Sequence, residues 1–380
     1  MIQLTDEQKL FKKTVKDFVE KEIRPYVEEW EEAGVTARSL WKKCGTLGFF
    51  GVRYPEAVGG MNGDFTYSSI LFQELAKCGS AGVALGLSVQ AEMATPAIAD
   101  QGSDYLKKTY LIPAIQGDMI CAIGVSEPDH GSDVAAIETR ATKQGSNWVI
   151  QGRKTYITNG TQADFITLLA RTNDKPGYAG LSLFVAPTHL PGFSRGKILK
   201  KTCYLASDTA EIVFDNYVLP EQNLIGQEGR GFLYQMKQFQ FERLVACHLG
   251  LGVMKRAYEL TKRFIHERIA FGQPLVKMQT IRHKMAQICA DIELIENSVD
   301  ACVQLANQGV DFTKQVSMLK LSMAQTQQRV LEECVQIHGG AGLMCEYEVA
   351  RYFRDSKLAG IGGGTNEIMK EIIAKMEGME

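Results

Sequence analysis

The period of the apolar residues changes twice along this 380-residue chain, which excludes both a single helical bundle and a single sheet. From residue 1 to about 118 the apolar positions mostly follow helical spacing, broken by Gly/Pro loops such as 53–63; residues 61–98 read as helix, loop, helix. From about 119 to 226 the pattern shortens. The stretches 148–157, 165–171, 180–185 and 210–218 are short or alternating runs rich in β-branched and aromatic residues. Asn159-Gly160, Lys175-Pro176-Gly177 and Leu190-Pro191-Gly192 supply turn chemistry between them, so a small antiparallel β unit is expected. From about 227 helical spacing returns. Ile281, Met285, Ile288, Ile292 and Ile295 form one bundle seam, and Val316, Leu319, Met323, Val330 and Cys334 form a second, ending at His338-Gly339-Gly340. The expected class is α+β, mostly α: an N-terminal helical domain (1–118), a middle antiparallel β-barrel or sandwich (119–226) and a C-terminal four-helix bundle (227–380).

Composition removes several function classes. The formal net charge of −2, without a basic stripe, argues against a nucleic-acid binder. The nine cysteines stand singly, with no C-x-x-C pair, so neither a zinc site nor a disulfide framework is expected. Reduced thiols fit a cytoplasmic protein of bacterial type, or the matrix of a mitochondrion for a mature eukaryotic form. The first residues already form an amphipathic pattern (Leu4, Leu10, Phe11, Val15, Phe18, Val19) with acidic residues throughout, unlike a targeting peptide. No apolar run is long enough to insert in a membrane.

The glycine-rich strings Gly360-Ile-Gly-Gly-Gly364 and Gly339-Gly-Ala-Gly342 raise the question of a nucleotide loop. Neither forms G-x-G-x-x-G after a strand, and no Walker A or G-x-S-x-G motif is present. Helix termination explains them equally well on spacing alone.

Five other segments are more specific. They are Gly124-Val-Ser-Glu-Pro-Asp-His-Gly-Ser-Asp133, Thr155-Tyr-Ile-Thr-Asn-Gly160, Arg268-Ile-Ala-Phe-Gly272 with Gln279, Gln336-Ile-His-Gly-Gly-Ala-Gly-Leu-Met-Cys-Glu346 with Arg351 and Asp355, and Gly364-Thr-Asn-Glu-Ile368. In order and spacing, over essentially the whole chain, they resemble the acyl-CoA dehydrogenase family. The resemblance implies FAD between the β domain and the C-terminal helices, with part of the site supplied by a neighbouring subunit. The 124–133 loop, with Ser126 and Ser132, would face the flavin ring. Tyr156 would lay an aromatic face against it, and Ile157 and Thr158 would meet it near N5. Arg268 would pair with the pyrophosphate of a partner's FAD, a match of guanidinium to phosphate. Phe271, Gln279, Gln336, Gly339 and Gly340 would complete the adenosine and pyrophosphate contacts, with Thr365 and Glu367 in the same cradle. Ser132, Arg243 and Gly364 would contact the acyl-CoA. Taken singly, Tyr156 is also explained as sheet packing, Arg268 as a surface ion-pair residue and Gln336 as a helix cap.

The reaction implied is α,β-desaturation of an acyl-CoA thioester to the trans-2-enoyl-CoA, which needs one carboxylate to take the α-proton. Many members of the family carry it just before the Gly-Thr of the last motif, where this chain has Gly363. A subgroup that includes isovaleryl-CoA, long-chain and citronellyl-CoA dehydrogenases carries it on the helix after the β domain. Phe239-Gln-Phe-Glu-Arg-Leu244 resembles that segment, which makes Glu242 the expected base and Arg243 the CoA-contacting arginine. Its apolar flanks, Phe239, Phe241, Leu244 and Val245, argue against an ordinary surface glutamate.

The same resemblance implies a branched or medium-to-long acyl chain, transfer of electrons to electron-transferring flavoprotein, and a homotetramer built as a dimer of dimers. Met93, Thr95 and Pro96 either line the acyl pocket or pack in the core. His130, where the family's first signature has a small residue, faces the ligand or points outward. Neither an acyl-CoA oxidase, usually much longer with an extra C-terminal domain, nor a DNA-binding relative with a basic one is the expected reading, and a catalytically inactive flavin scaffold is disfavoured by Glu242, Thr158 and Arg268 together.

Overall fold

A computed structural model describes residues 2–175 and 177–379; Pro176, in one of the expected turns, lies outside them. Helices precede and follow a β unit, as the change of period predicts. The first helix, α1 (Asp6–Phe18), starts from a capping box in which Thr5 and Gln8 satisfy each other's backbone N–H groups. Phe11, Val15, Phe18 and Val19 face the core, whereas Leu10 is 64% exposed on the opposite side of the turn. Two further helices, α2 (Phe65–Leu75) and α3 (Ala81–Ser88), run through the N-terminal core, and a π-helical turn spans Val89–Met93.

The β unit is an eight-stranded sheet with the order β6-β7-β3-β2-β4-β5-β8 and β1 beside β4. Its strands are β1 (Cys121–Gly124), β2 (Arg140–Gln144), β3 (Asn147–Thr158), β4 (Phe165–Arg171), β5 (Leu181–Pro187), β6 (Phe193–Ile198), β7 (Thr209–Pro220) and β8 (Leu224–Ile225). Four of these match the expected runs. The other four are short or polar, and their alternation is too brief to register in sequence. The pairing is antiparallel except where β1, and one residue pair of β2, lie parallel to β4. A purely antiparallel unit was expected. The difference arises because β1 enters directly from the helical region and not through a hairpin.

The C-terminal helices are α4 (Gly231–Glu267), α5 (Gln279–Asn307), α6 (Thr313–His338), α7 (Glu348–Asp355) and α8 (Asn366–Met376). Both expected seams are interior, with Ile281 only partly covered. The middle of α4 packs tightly on α2. A Cβ on Gly252 would lie 2.4 Å from the Gln73 carbonyl oxygen, so glycine permits the approach.

Glu348, at the first position of α7, ties three parts of the fold together. Its carboxylate accepts from Arg24 of the N-terminal region and from Arg256 of α4, the latter at 2.9 and 2.8 Å. The hydrogen bonds and charge of the two guanidiniums hold it below the ordinary carboxylate range against the effect of burial. This contribution is complete above the unfolded carboxylate pKa and fades as pH falls below it. Glu348→Ala would leave two partly buried arginines without their anion. A loss of about 2–3 kcal/mol is expected in urea unfolding at neutral pH, shrinking below pH 4. An unchanged midpoint would show that the arginines find other partners.

Candidate active site

Glu242 sits in mid-helix on α4, 7% exposed. Phe241 beside it stacks on Phe65 with 4.7 Å between ring centroids, and the Arg53 guanidinium lies beside both rings, 4.0 Å from Phe65 and 5.6 Å from Phe241. Burial raises the Glu242 pKa to about 7, opposed by amide hydrogen bonds from Gln238 and Gln235 and by the charge of Arg243. Both amides reach the same oxygen: Gln238 donates to Oε1 at 2.7 Å and Gln235 at 3.3 Å. Oε2 has no donor among the described residues. A buried carboxylate with this proton affinity and with one oxygen unengaged can act as a general base near neutral pH.

Arg243 is 7% exposed, and its Nε lacks a hydrogen-bond partner. Across from it on α6, fully buried Lys320 donates to the Gly364 carbonyl, and burial lowers its pKa to about 8. Gly363 and Gly364 have φ of 65° and 95°, and a Cβ on Gly363 would meet nothing within 4 Å. Space for a side chain exists there, so the glycine answers to backbone conformation and not to crowding. Thr365 then caps α8 by accepting from the Ile368 N–H at 3.2 Å, with Glu367 in the first turn.

A second group of expected residues surrounds β3. The Thr155 N–H donates to the Ser126 carbonyl at 3.0 Å, which brings the 124–133 loop alongside that strand. The β3–β7 register shifts between Lys154 and Ile157, and within that bulge Tyr156 adopts φ 59° with its ring 70% exposed. A bulky residue held at positive φ, with its ring turned out of the sheet, is a strained feature of the kind found at binding sites. Ile157 is buried, so only its backbone can meet a ligand, while Thr158 is half-buried and Ser132 exposed. His130 lies 3.6 Å from the exposed Glu138 carboxylate at the surface of the loop.

The loop is held from beneath by a pair that sequence reasoning missed. Glu127 Oε1 accepts from Lys154 at 2.8 Å and from the Thr139 N–H at 2.9 Å, and Oε2 accepts from the Glu138 N–H at 2.6 Å. Burial lowers the Lys154 pKa to about 8, and against the effect of burial Lys154 holds Glu127 below the ordinary range, so each favours the charged form of the other. A third group lies where α4 and α6 end. Phe264 stacks on His338 at 4.2 Å, which brings Arg268 and Phe271 near Gln336, Gly339 and Gly340. Gln279 opens α5 close by, and Phe271 is 95% exposed.

Of the residues considered for an acyl pocket, Thr95 is buried and shares a 2.7 Å hydrogen bond with Tyr54, which assigns it to the core. Met93 and Pro96 are half-buried. A cleft of about 790 Å³ opens one to three turns before Glu242 on α4, lined by Asn173, Lys175, Tyr178, Arg230, Phe232 and Met236 among others. Tyr178 and Phe232 stack there at 4.3 Å.

The N-terminal, middle and C-terminal domain profiles of acyl-CoA dehydrogenase match residues 5–118, 122–217 and 229–377. The chain belongs to the acyl-CoA dehydrogenase family. It is 36% identical over 374 residues to the mitochondrial long-chain specific acyl-CoA dehydrogenase of Rattus norvegicus, covering 98% of this chain and 86% of that one. Among solved structures it superposes on an acyl-CoA dehydrogenase from Geobacillus kaustophilus with a TM-score of 0.95, at 38% identity over 98% of each chain. It superposes equally well, at 25% identity over 100% of this chain and 99% of that one, on the FAD complex of PigA, TM-score 0.95. The family is FAD-dependent, and the chain is a flavin-dependent oxidoreductase of the acyl-CoA dehydrogenase class. Its residues suit such a cofactor: Tyr156 offers a bare aromatic face beside a loop already pinned by Glu127 and Lys154.

Proposed function

We propose that the enzyme desaturates a branched or medium-to-long acyl-CoA between Cα and Cβ, with Glu242 removing the α-proton. The observation that carries this reading is the isolated carboxylate of Glu242, buried, raised to about 7 and open on Oε2. FAD, when bound, would supply the hydride acceptor for the β-hydrogen. The chain's own residues do the rest. The burial of Glu242 in α4 keeps water from the base. Arg243 favours its ionised form, and with Lys320 it puts positive charge near the Gly364 turn. Ser126, Ser132, Tyr156, Thr158 and the backbone of Ile157 would hold the flavin. The aromatic and basic cleft at 173–179 and 230–236 suits the nucleotide arm of CoA, with Tyr178 and Phe232 as a stacking surface and Lys175 and Arg230 available to phosphate.

The exposed Arg268, Phe271, Gln279, Gln336, Gly339 and Gly340 form a surface suited to an FAD shared with a second subunit, and hence to a homotetramer. Gly364, Thr365 and Glu367 would close the site from α8. Electron-transferring flavoprotein is the proposed acceptor. The isovaleryl, long-chain and citronellyl subgroup is the proposed assignment, since the base is on α4 and Gly363 takes its alternative place.

The test is an anaerobic titration of the flavin-loaded enzyme with straight and branched acyl-CoAs of four to sixteen carbons or so. Bleaching of the flavin band is expected with the branched or longer members at near-stoichiometric additions. No bleaching with any of them would overturn the proposal.

A further inference from the structure

Gln235, Gln238 and Glu242 lie at i, i+3 and i+7 of α4 and share one face of the helix. Gln238 has two amide hydrogens and two acceptors in reach, Glu242 Oε1 at 2.7 Å and the Met93 carbonyl. Each acceptor can only accept, which fixes the amide with its nitrogen toward both. The Met93 carbonyl, at the end of the π-helical turn, is free for this role because the Ile98 N–H turns to Thr95 instead. Gln235, fully buried, sends its amide to the same oxygen at 3.3 Å. As a result the oxygens of both glutamines are buried without partners. Two unmatched acceptors in a core are costly, and apart from the Met93 carbonyl held by Gln238 the two amides serve Glu242 alone among the described residues.

We propose that Gln235 and Gln238 are positioning residues for the base: their amides hold Oε1 of Glu242 and leave Oε2 as the oxygen presented to the α-hydrogen of the acyl group. This rests on Glu242 being the base. The pair also sets the base's proton affinity, because both amides bind the ionised form and oppose the rise that burial imposes. Among the surrounding charges Arg243 shares this task, its effect falling between those of Gln238 and Gln235. On α4, Arg243 favours the ionised carboxylate and His248 is neutral, its pKa lowered to about 3 by burial. From the N-terminal region Arg53 and Glu92 neutralise each other. From α6 and α8, Lys320 and Glu367 oppose each other.

The test uses the flavin-loaded enzyme with Gln238→Met and Gln235→Met, each similar in size but without donors. Infrared difference titration of the Glu242 carboxyl band, identified by its loss in Glu242→Gln, reads the proton affinity without turnover. Anaerobic flavin reduction across pH reads the base at work. Removing the 2.7 Å bond should move the carboxyl titration upward by about one pH unit, and removing the 3.3 Å bond by less. The acidic limb of flavin reduction should move with it, while acyl-CoA affinity stays within about threefold. A titration and limb unmoved in both variants would overturn the proposal. If Gln238→Met fails to hold FAD, Gln235→Met carries the test, since its amide bonds only Glu242 among the described residues. Normal flavin reduction in Glu242→Gln would instead refute the base, while the infrared shift would still report on the glutamines.

Discussion

Glu242→Gln should retain FAD and its visible spectrum but reduce the flavin with acyl-CoA at least about 10³–10⁴-fold more slowly, the upper range for loss of a general base. Substrate binding, judged by spectral perturbation, should change little, because the amide occupies the same volume and still accepts from Gln238 on its oxygen. The same variant should be more stable than wild type above neutral pH. The folded-state pKa of Glu242 is raised from 4.5 to about 7, so the protein gives up stability as pH rises through that window and the carboxyl must ionise in its pocket. At about 1.4 kcal/mol per unit, glutamine should recover roughly 3 kcal/mol above pH 7 and almost nothing at pH 4. Thermal melts of the substrate-free enzyme at the two pH values measure this. Rapid flavin reduction by the variant would remove Glu242 from the chemistry. A loss of stability at high pH would mean that the carboxylate is structural.

Lys154→Met should be the most damaging single change outside the base. It leaves the Glu127 carboxylate buried with two backbone N–H donors but no counter-charge. Breaking one side of such a pair costs about 3–5 kcal/mol, whereas removing both charges costs much less. Glu127→Gln combined with Lys154→Met should therefore recover a large part of the loss, which a urea-unfolding cycle of the four proteins would read. Flavin retention should follow the same order, because Glu127 belongs to the 124–133 loop and Lys154 precedes the bulge that displays Tyr156. In wild type the contribution of Glu127 is present above the ordinary carboxylate pKa and disappears as pH falls through its lowered value. Additive losses from the two single changes would show that the charges are not coupled.

The helical seams of α5 and α6, strand β4 and the return of helical period after residue 226 were all legible in the chain, because each reflects which face of one element meets the core. So was the candidacy of Glu242: Gly363 leaves the alternative position without a carboxylate, and phenylalanines flank residue 242. Periodicity reports burial but not partners. Lys154 in β3 read as one more polar residue of an alternating strand, yet it is fully buried against a glutamate 27 positions earlier. Leu10, counted with the apolar face of α1, proved exposed, since one residue of a helical stripe can lie beyond the edge of the contact. Gln235 and Gln238 could be placed on the face of Glu242 from spacing, but which oxygen they bind depends on how the π-helical turn at Val89–Met93 meets α4.

The sequence alone therefore determined the order of the domains, the family and one carboxylate as the candidate base, all properties carried by local pattern. Only the tertiary structure decided how that carboxylate is ionised, which of its oxygens is open, and what pins the loop beside Tyr156. Those depend on contacts between distant segments, whose energies come from burial and geometry that no local pattern encodes.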